Sequence, residues 1–209
     1  MPCHHKFEHY LDLKQINFQP TTLIIGTFNP SWPKENYAEW FYGRTSNNHF
    51  WDVLPRIYGD QSLLQCNQSD WKKYCEPKLI AITDLISCID DADEKNPNHE
   101  KLLRGYSDLA IAQTFKNFRT EHIKEIFDKF PSIQNVYFTR SGNGKLWRSL
   151  WIDIVDACEK TGKKKPTELL TPSKYARFHF ARAKRMKLTQ TVKLEDYILE
   201  RWKEVWHKI

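Results

Sequence analysis

Four short, mostly apolar runs, each ending in a polar loop, constrain this chain more than any other feature. They are Thr22-Leu23-Ile24-Ile25, Leu79-Ile80-Ala81-Ile82, Val136-Tyr137-Phe138-Thr139 and Thr167-Glu168-Leu169-Leu170. Runs of this length, rich in β-branched and aromatic residues, read as buried strands. Helical patterns separate them, and strands that alternate with helices build a parallel sheet covered on both faces. The expected fold is therefore α/β: a three-layer α/β/α arrangement with a central, mostly parallel four-stranded sheet. A length of 209 residues suits a single domain, 1–209, with an ample core.

Apolar spacing predicts helices over about Lys6–Gln15, from Asn48 to a stop at Gly59, around Ser69–Cys75, over Glu121–Phe130, about Lys145–Glu159 and Leu194–Lys208. The last reads as a lid over the core. Asp90–Glu100 reads as an acidic surface loop, and Tyr106–Phe118 fits either a helix or a short strand plus turn. The strand ends are Gly26–Pro30, Thr83–Asp84, Ser141–Lys145 and Thr171–Lys174. In a parallel sheet these loops converge on one edge, where α/β proteins bind their ligands.

The loop after the first strand is dense in aromatics: Trp32, Tyr37, Trp40, Phe41, Tyr42, Phe50 and Trp51, interleaved with Asn36, Arg44, Asn47 and Asn48. A solvated loop gains nothing from this mixture. A pocket that stacks a flat ligand and hydrogen-bonds its edge needs it.

The net charge is +6, and its distribution says more than its total. Between Lys160 and Lys187 lie Lys160, Lys163, Lys164, Lys165, Lys174, Arg177, Arg182, Lys184, Arg185 and Lys187, opposed only by Glu168. Such a block is either a solvated face or the footprint of a polyanion, and the aromatics within it favour nucleic acid. Five cysteines, odd in number and with no C-x-x-C pair, argue for reduced packing residues. Cys3, His4, His5 and His9 could hold a metal in isolation, but they sit at a terminus expected to fray, and no metal is expected. No apolar run reaches membrane-spanning length and no signal peptide pattern opens the chain. The expectation is a soluble, intracellular protein with no membrane association.

In order, these residues resemble the uracil-DNA glycosylase superfamily, nearest its mismatch-specific and hypoxanthine-DNA branches. Gly26-Thr27-Phe28-Asn29-Pro30 looks like the first motif, with one residue more between Gly26 and Asn29 than G-x-N-P. Asn48-His49-Phe50-Trp51 is similar to the N-x-F-W that follows it, and Phe41-Tyr42-Gly43 to the base-stacking aromatic. Ala81-Ile82-Thr83-Asp84-Leu85 resembles the A-x-x-D strand end, Phe138 with Asn143-Gly144-Lys145 a strand-then-N-G element, and Leu170-Thr171-Pro172-Ser173 the second motif.

The resemblance implies a DNA base-excision repair enzyme, a monofunctional DNA N-glycosylase. It would hydrolyse the N-glycosidic bond of a deaminated base, uracil or hypoxanthine, flipped out of DNA, as a monomer without cofactor. An Asn carbonyl would orient the attacking water, with Asn29 and Asn48 as the candidates. Each also has an ordinary reading, Asn29 as a turn residue before Pro30 and Asn48 as a helix cap. Gly26, Thr27, Phe28, Phe41, Tyr42 and Asn143 would hold the base. His49 and Asp84 would support the site, or be structural. Thr171, Pro172 and Ser173 would press into the minor groove, with Lys174, Arg177, Arg182 and Arg185 on phosphates. A non-catalytic nucleic-acid-binding protein with the same fold is the alternative. An enzyme of free nucleosides would not need the basic block.

Overall fold

The structure, a computed structural model, describes residues 1–105, 107–140, 145–162 and 166–207. In chain order its elements are β1 (Cys3–His4), β2 (Thr22–Gly26), α1 (Phe50–Ile57), α2 (Gln68–Cys75), β3 (Ile80–Asp84), β4 (Cys88–Ile89), α3 (Pro97–Gly105), α4 (Asp108–Thr114), β5 (Phe118–Arg119), α5 (His122–Lys129), β6 (Asn135–Phe138), α6 (Lys145–Lys160), β7 (Thr167–Glu168), α7 (Arg177–Arg185) and α8 (Leu194–Val205). Short 3₁₀ turns occupy Glu8–Tyr10 and Lys174–Ala176.

The central sheet has the order β3-β2-β6-β7 and every pairing in it is parallel. Ile24 lies opposite Ile82 on one side and Tyr137 on the other. Because successive strand residues face opposite ways, the sheet divides the core in two. Leu23, Ile25, Ala81, Val136 and Phe138 pack against Ile123, Ile126 and Phe127 of α5 and Trp147, Trp151 and Ile154 of α6. Ile24, Ile80, Ile82 and Tyr137 pack against α1, Trp71 and Cys75 of α2, and Ile198 and Trp202 of α8. These are the three layers expected from the strand pattern. The terminal helix closes the second of them: Trp202 is fully buried and Trp206 stacks on Tyr137 at 4.3 Å.

Three local expectations change. Lys6–Gln15 is a 3₁₀ turn followed by loops, not a helix; Phe7, Leu11 and Leu13 are nevertheless buried, and Leu13 takes a positive φ of 58°. The segment after Asp90 gains helix α3, and Tyr106–Phe118 contains both a helix, α4, and the start of a strand, β5. The N-terminus does not fray. β1 pairs antiparallel with β4, and β4 with β5, in a second, three-stranded sheet. Its strands are two residues long, too short to leave a periodicity in sequence. Among the described residues no helix is long and apolar enough to cross a membrane.

Candidate active site

β2 and β3 end side by side, with Gly26 in register with Asp84. A Cβ on Gly26 would stand 2.1 Å from Asp84 Oδ1 and 2.8 Å from the Tyr42 hydroxyl. The glycine is therefore required by the two side chains that fill the space above it. Asp84 is only 2% exposed. Its Oδ2 accepts two hydrogen bonds of 2.7 Å, one from His5 Nε2 and one from Asn29 Nδ2.

The protons in this cluster follow from its donors. The Phe7 backbone N–H, which can only donate, meets His5 Nδ1 at 2.9 Å. Nδ1 thus carries a lone pair and the ring proton sits on Nε2, facing Asp84. Both nitrogens of His5 are committed, so this residue is not available to a metal at the N-terminus. Asn29 gives its amide nitrogen to Asp84, which turns its Oδ1 the other way as an acceptor. His122, the first residue of α5, places Nε2 2.8 Å from the Asp84 carbonyl oxygen and donates to it. Its Nδ1 is buried without a partner. Burial, the largest cause, lowers the His122 pKa below the ordinary histidine value.

Tyr42 closes the other side. Its backbone is left-handed, with φ 57°, and its ring stacks on Phe50 at 3.8 Å, within 5° of parallel. Its hydroxyl is 2.8 Å from Thr139 Oγ1, just beyond β6. Burial, reinforced by the charges of Asp84 and Asp108, pushes the Tyr42 pKa well above the usual phenol value, so the hydroxyl stays protonated. Asp108, the first residue of α4, pairs with Arg140 at 2.5 Å and has the Thr27 hydroxyl beside it. Burial raises the Asp108 pKa, with Arg140 acting against it. The Arg140 guanidinium lies over the Trp147 ring, 4.7 Å from its centroid.

A second group of loops meets nearby in sequence order. The Asn47–His49 turn before α1 is clasped to the loop after β7. His49 N–H donates to the Pro172 carbonyl at 2.7 Å, Lys174 N–H donates to the Asn47 carbonyl at 3.0 Å, and Asn48 bridges Ser173. The Trp202 indole N–H holds the Leu170 carbonyl at 2.7 Å from below.

Of the residues singled out in sequence, Gly26, Thr27, Asn29, Tyr42 and Asp84 come together. Phe28 and Phe41 do not line an open surface. Phe28 is 5% exposed and Phe41 fully buried, in ring contact with His5, Phe7 and Trp40. Tyr42 is the half-buried member of the Phe41-Tyr42 pair. The Asn48 Oδ1 accepts the Phe50 N–H at 2.9 Å within the turn that leads into α1, so it is not the helix cap of its ordinary reading; the N-cap is His49, with no side-chain cap bond. Pro172 is buried and cannot enter a groove, whereas Lys174, Tyr175, Arg177, Arg182 and Arg185 are exposed. Thr171 and Ser173 bond to one another through their hydroxyls at 3.0 Å. Asn143, and Lys163 to Lys165 of the basic block, lie outside the described residues.

Sequence reasoning missed His5, Asp108, His122, Thr139 and Arg140. Their only local signals are a polar residue next to a strand end or helix start. His5 has one more, its place in the Cys3, His4, His5 and His9 cluster near the N-terminus.

No family model matches the chain, and no curated protein matches it significantly. Among solved structures it is similar to the solution NMR structure of a protein from Methanosarcina acetivorans, provisionally described as a uracil DNA glycosylase. The TM-score is 0.54 over 92% of this chain and 94% of the other, at 12% identity. At that identity the likeness shows the fold: a parallel four-stranded sheet flanked by helices.

Proposed function

We propose that this protein is a DNA glycosylase that hydrolyses the N-glycosidic bond of a deaminated base flipped out of DNA. The observation that carries the reading is the fixed amide of Asn29. Its nitrogen is bound by a buried carboxylate that a histidine also engages, at the carboxyl edge of a parallel sheet. The amide oxygen, on the side away from Asp84, is then a fixed acceptor, the group needed to orient a water. The shared fold with a protein provisionally described as a uracil DNA glycosylase supports the same reading.

The reaction divides simply. The bond between base and sugar breaks with its electron pair going to the base, and the sugar carbon develops positive charge. Water, oriented by Asn29 Oδ1, forms the new C–O bond and gives up a proton. An amide is too weak a base to take that proton. It is adequate here because a largely dissociative transition state needs a positioned nucleophile more than a deprotonated one. Asp108, whose pKa burial raises against the opposing effects of Arg140 and the Thr27 hydroxyl, is the carboxyl at this edge suited to receive the proton. Tyr42 supplies a stacking face, held by Phe50. The polar rim and the basic residues Lys174, Arg177, Arg182 and Arg185 hold the strand. The work of extruding the nucleotide, a few kcal/mol, is met by these phosphate contacts.

Asn29 takes the water-orienting role in this scheme, because the Asn48 side-chain carbonyl already accepts the Phe50 N–H. The test is an oligonucleotide series carrying one uracil or one hypoxanthine, opposite each partner base and single-stranded, followed by alkaline cleavage at abasic sites. Asn29→Ala is expected to lower turnover by roughly 100-fold or more with DNA affinity unchanged. Asn48→Ala is expected to cost about 1 kcal/mol of stability through the lost turn hydrogen bond to Phe50 and to leave turnover within a few-fold. Tight DNA binding with no abasic product on any substrate would instead identify a non-catalytic binding protein.

A further inference from the structure

Helix α7 has exposed aromatic rings on its outer face that the proposed chemistry does not use. Its inner face is accounted for: Phe180 stacks on Tyr197 of α8 at 5.1 Å, Lys184 lies over the Phe180 ring, and Ala183 is buried. The opposite side is aromatic and cationic. Phe178 is 62% exposed and Tyr175, one turn earlier, 49%. Three residues apart on continuous helical backbone, they share a face. The Arg177 guanidinium lies 5.1 Å from the Phe178 centroid, and Arg182 and Arg185 follow, both exposed. No Asp or Glu occurs between Leu169 and Lys193.

Two features fix the kind of partner. The charge is one-sided, so the partner is an anion of some length. The exposed rings add something that phosphates alone do not reward. Leaving a phenylalanine in water forgoes the free energy of burying its ring, and the ring is placed beside an arginine and not in the core. In a paired duplex the base faces are hidden within the stack. They are open only in unpaired nucleotides, which stack on aromatic side chains irrespective of sequence. The helix also begins directly after the loop clasped to Asn47–His49, so a strand on it is contiguous with the site's polar rim.

We infer that the outer face of α7 is a stacking platform for unpaired nucleotides flanking the target, with Phe178 as its centre and Arg177, Arg182 and Arg185 on their phosphates. The inference deepens the proposed function by naming the strand state. It rests on that reading only for where the target base lies, because the platform itself performs no chemistry.

The experiment measures binding of undamaged DNA by fluorescence anisotropy at fixed salt, comparing a labelled single strand of about 15 nucleotides with the duplex of the same sequence. The wild type is expected to favour the single strand. Phe178→Ala is expected to weaken the single strand about tenfold and to leave the duplex unchanged, while Phe178→Trp restores the preference. The exposure of Phe178 means that neither variant should move the thermal unfolding midpoint. Equal weakening of both ligands by Phe178→Ala, or of neither, overturns the platform. So does tighter binding to phosphatidylserine-containing vesicles that Phe178→Ala abolishes, since that assigns the face to a lipid surface. Because the readout is undamaged DNA, an inactive protein that passes this test sinks only the glycosylase reading. An active one that fails it sinks only the platform.

Discussion

Asp84 sets the conformation of everything around it. It is buried, it accepts from His5 and Asn29 through one oxygen, and its other oxygen fills the space above Gly26. Adding a methyl at Gly26 would force the carboxylate and the Tyr42 hydroxyl away. Gly26→Ala is therefore expected to abolish turnover, a loss of at least roughly 100-fold, while far-ultraviolet circular dichroism stays that of the wild type. Retained activity would show that the carboxylate does not hold the catalytic amide. His122 gives the cluster a pH signature. Its pKa is lowered in the fold, so between that value and about 6.5 the unfolded chain binds the extra proton. Stability therefore rises with pH across this window and falls on acidification. Urea unfolding at several pH values should show that dependence in the wild type, and a shallower one in His122→Gln. Sequence made Gly26, Asn29 and Asp84 visible because each ends or follows a recognisable strand. It could not make His5 visible as Asp84's partner, since the two are 79 positions apart and nothing local encodes the pairing.

At the scale of elements, the loop before α1 and the loop after β7 behave as one piece. Two backbone hydrogen bonds and the Asn48–Ser173 bridge join them, and Trp202 of α8 holds the underside through the Leu170 carbonyl. The terminal helix is thus more than a cover: it fixes the height of the loop that carries Lys174 and precedes α7. Trp202→Phe keeps most of the buried ring but leaves that carbonyl unpaired. The expected cost is about 1–3 kcal/mol in chemical unfolding, with faster amide exchange at His49 and Lys174. Unchanged exchange at those two amides would show that the clasp is independent of α8. The long helices and the four central strands were legible from their periodicity and their polar ends. The two-residue strands β1, β4 and β5 were not, because they are stabilised by pairing with distant partners and not by their own pattern.

Across the whole molecule, charge and chemistry are separated by sequence. The cluster around Asp84 is drawn from residues 5 to 140, and the cationic surface from residues 174 to 187. The two regions touch through the clasped loops. Affinity for undamaged single-stranded DNA should fall linearly with salt on a log–log scale, and replacing both Arg182 and Arg185 by Gln should flatten the slope by about 1.4. A slope insensitive to these substitutions would place the phosphates elsewhere. The layered fold was readable because alternation along each strand assigns its two faces to two cores, and that assignment needs no long-range knowledge. The completed site was not, because it draws on the small second sheet as well as the large one.

That last point has a practical side. His5 follows β1, outside the main sheet, yet holds the end of β3 through Asp84. A chain shortened by its first five residues would lose buried Cys3, the β1–β4 pairing and one of the two donors to Asp84. Under the proposed function, a truncated form that folds is expected to bind DNA through the cationic helix and to turn over more slowly, because its carboxylate holds the Asn29 amide with one partner fewer.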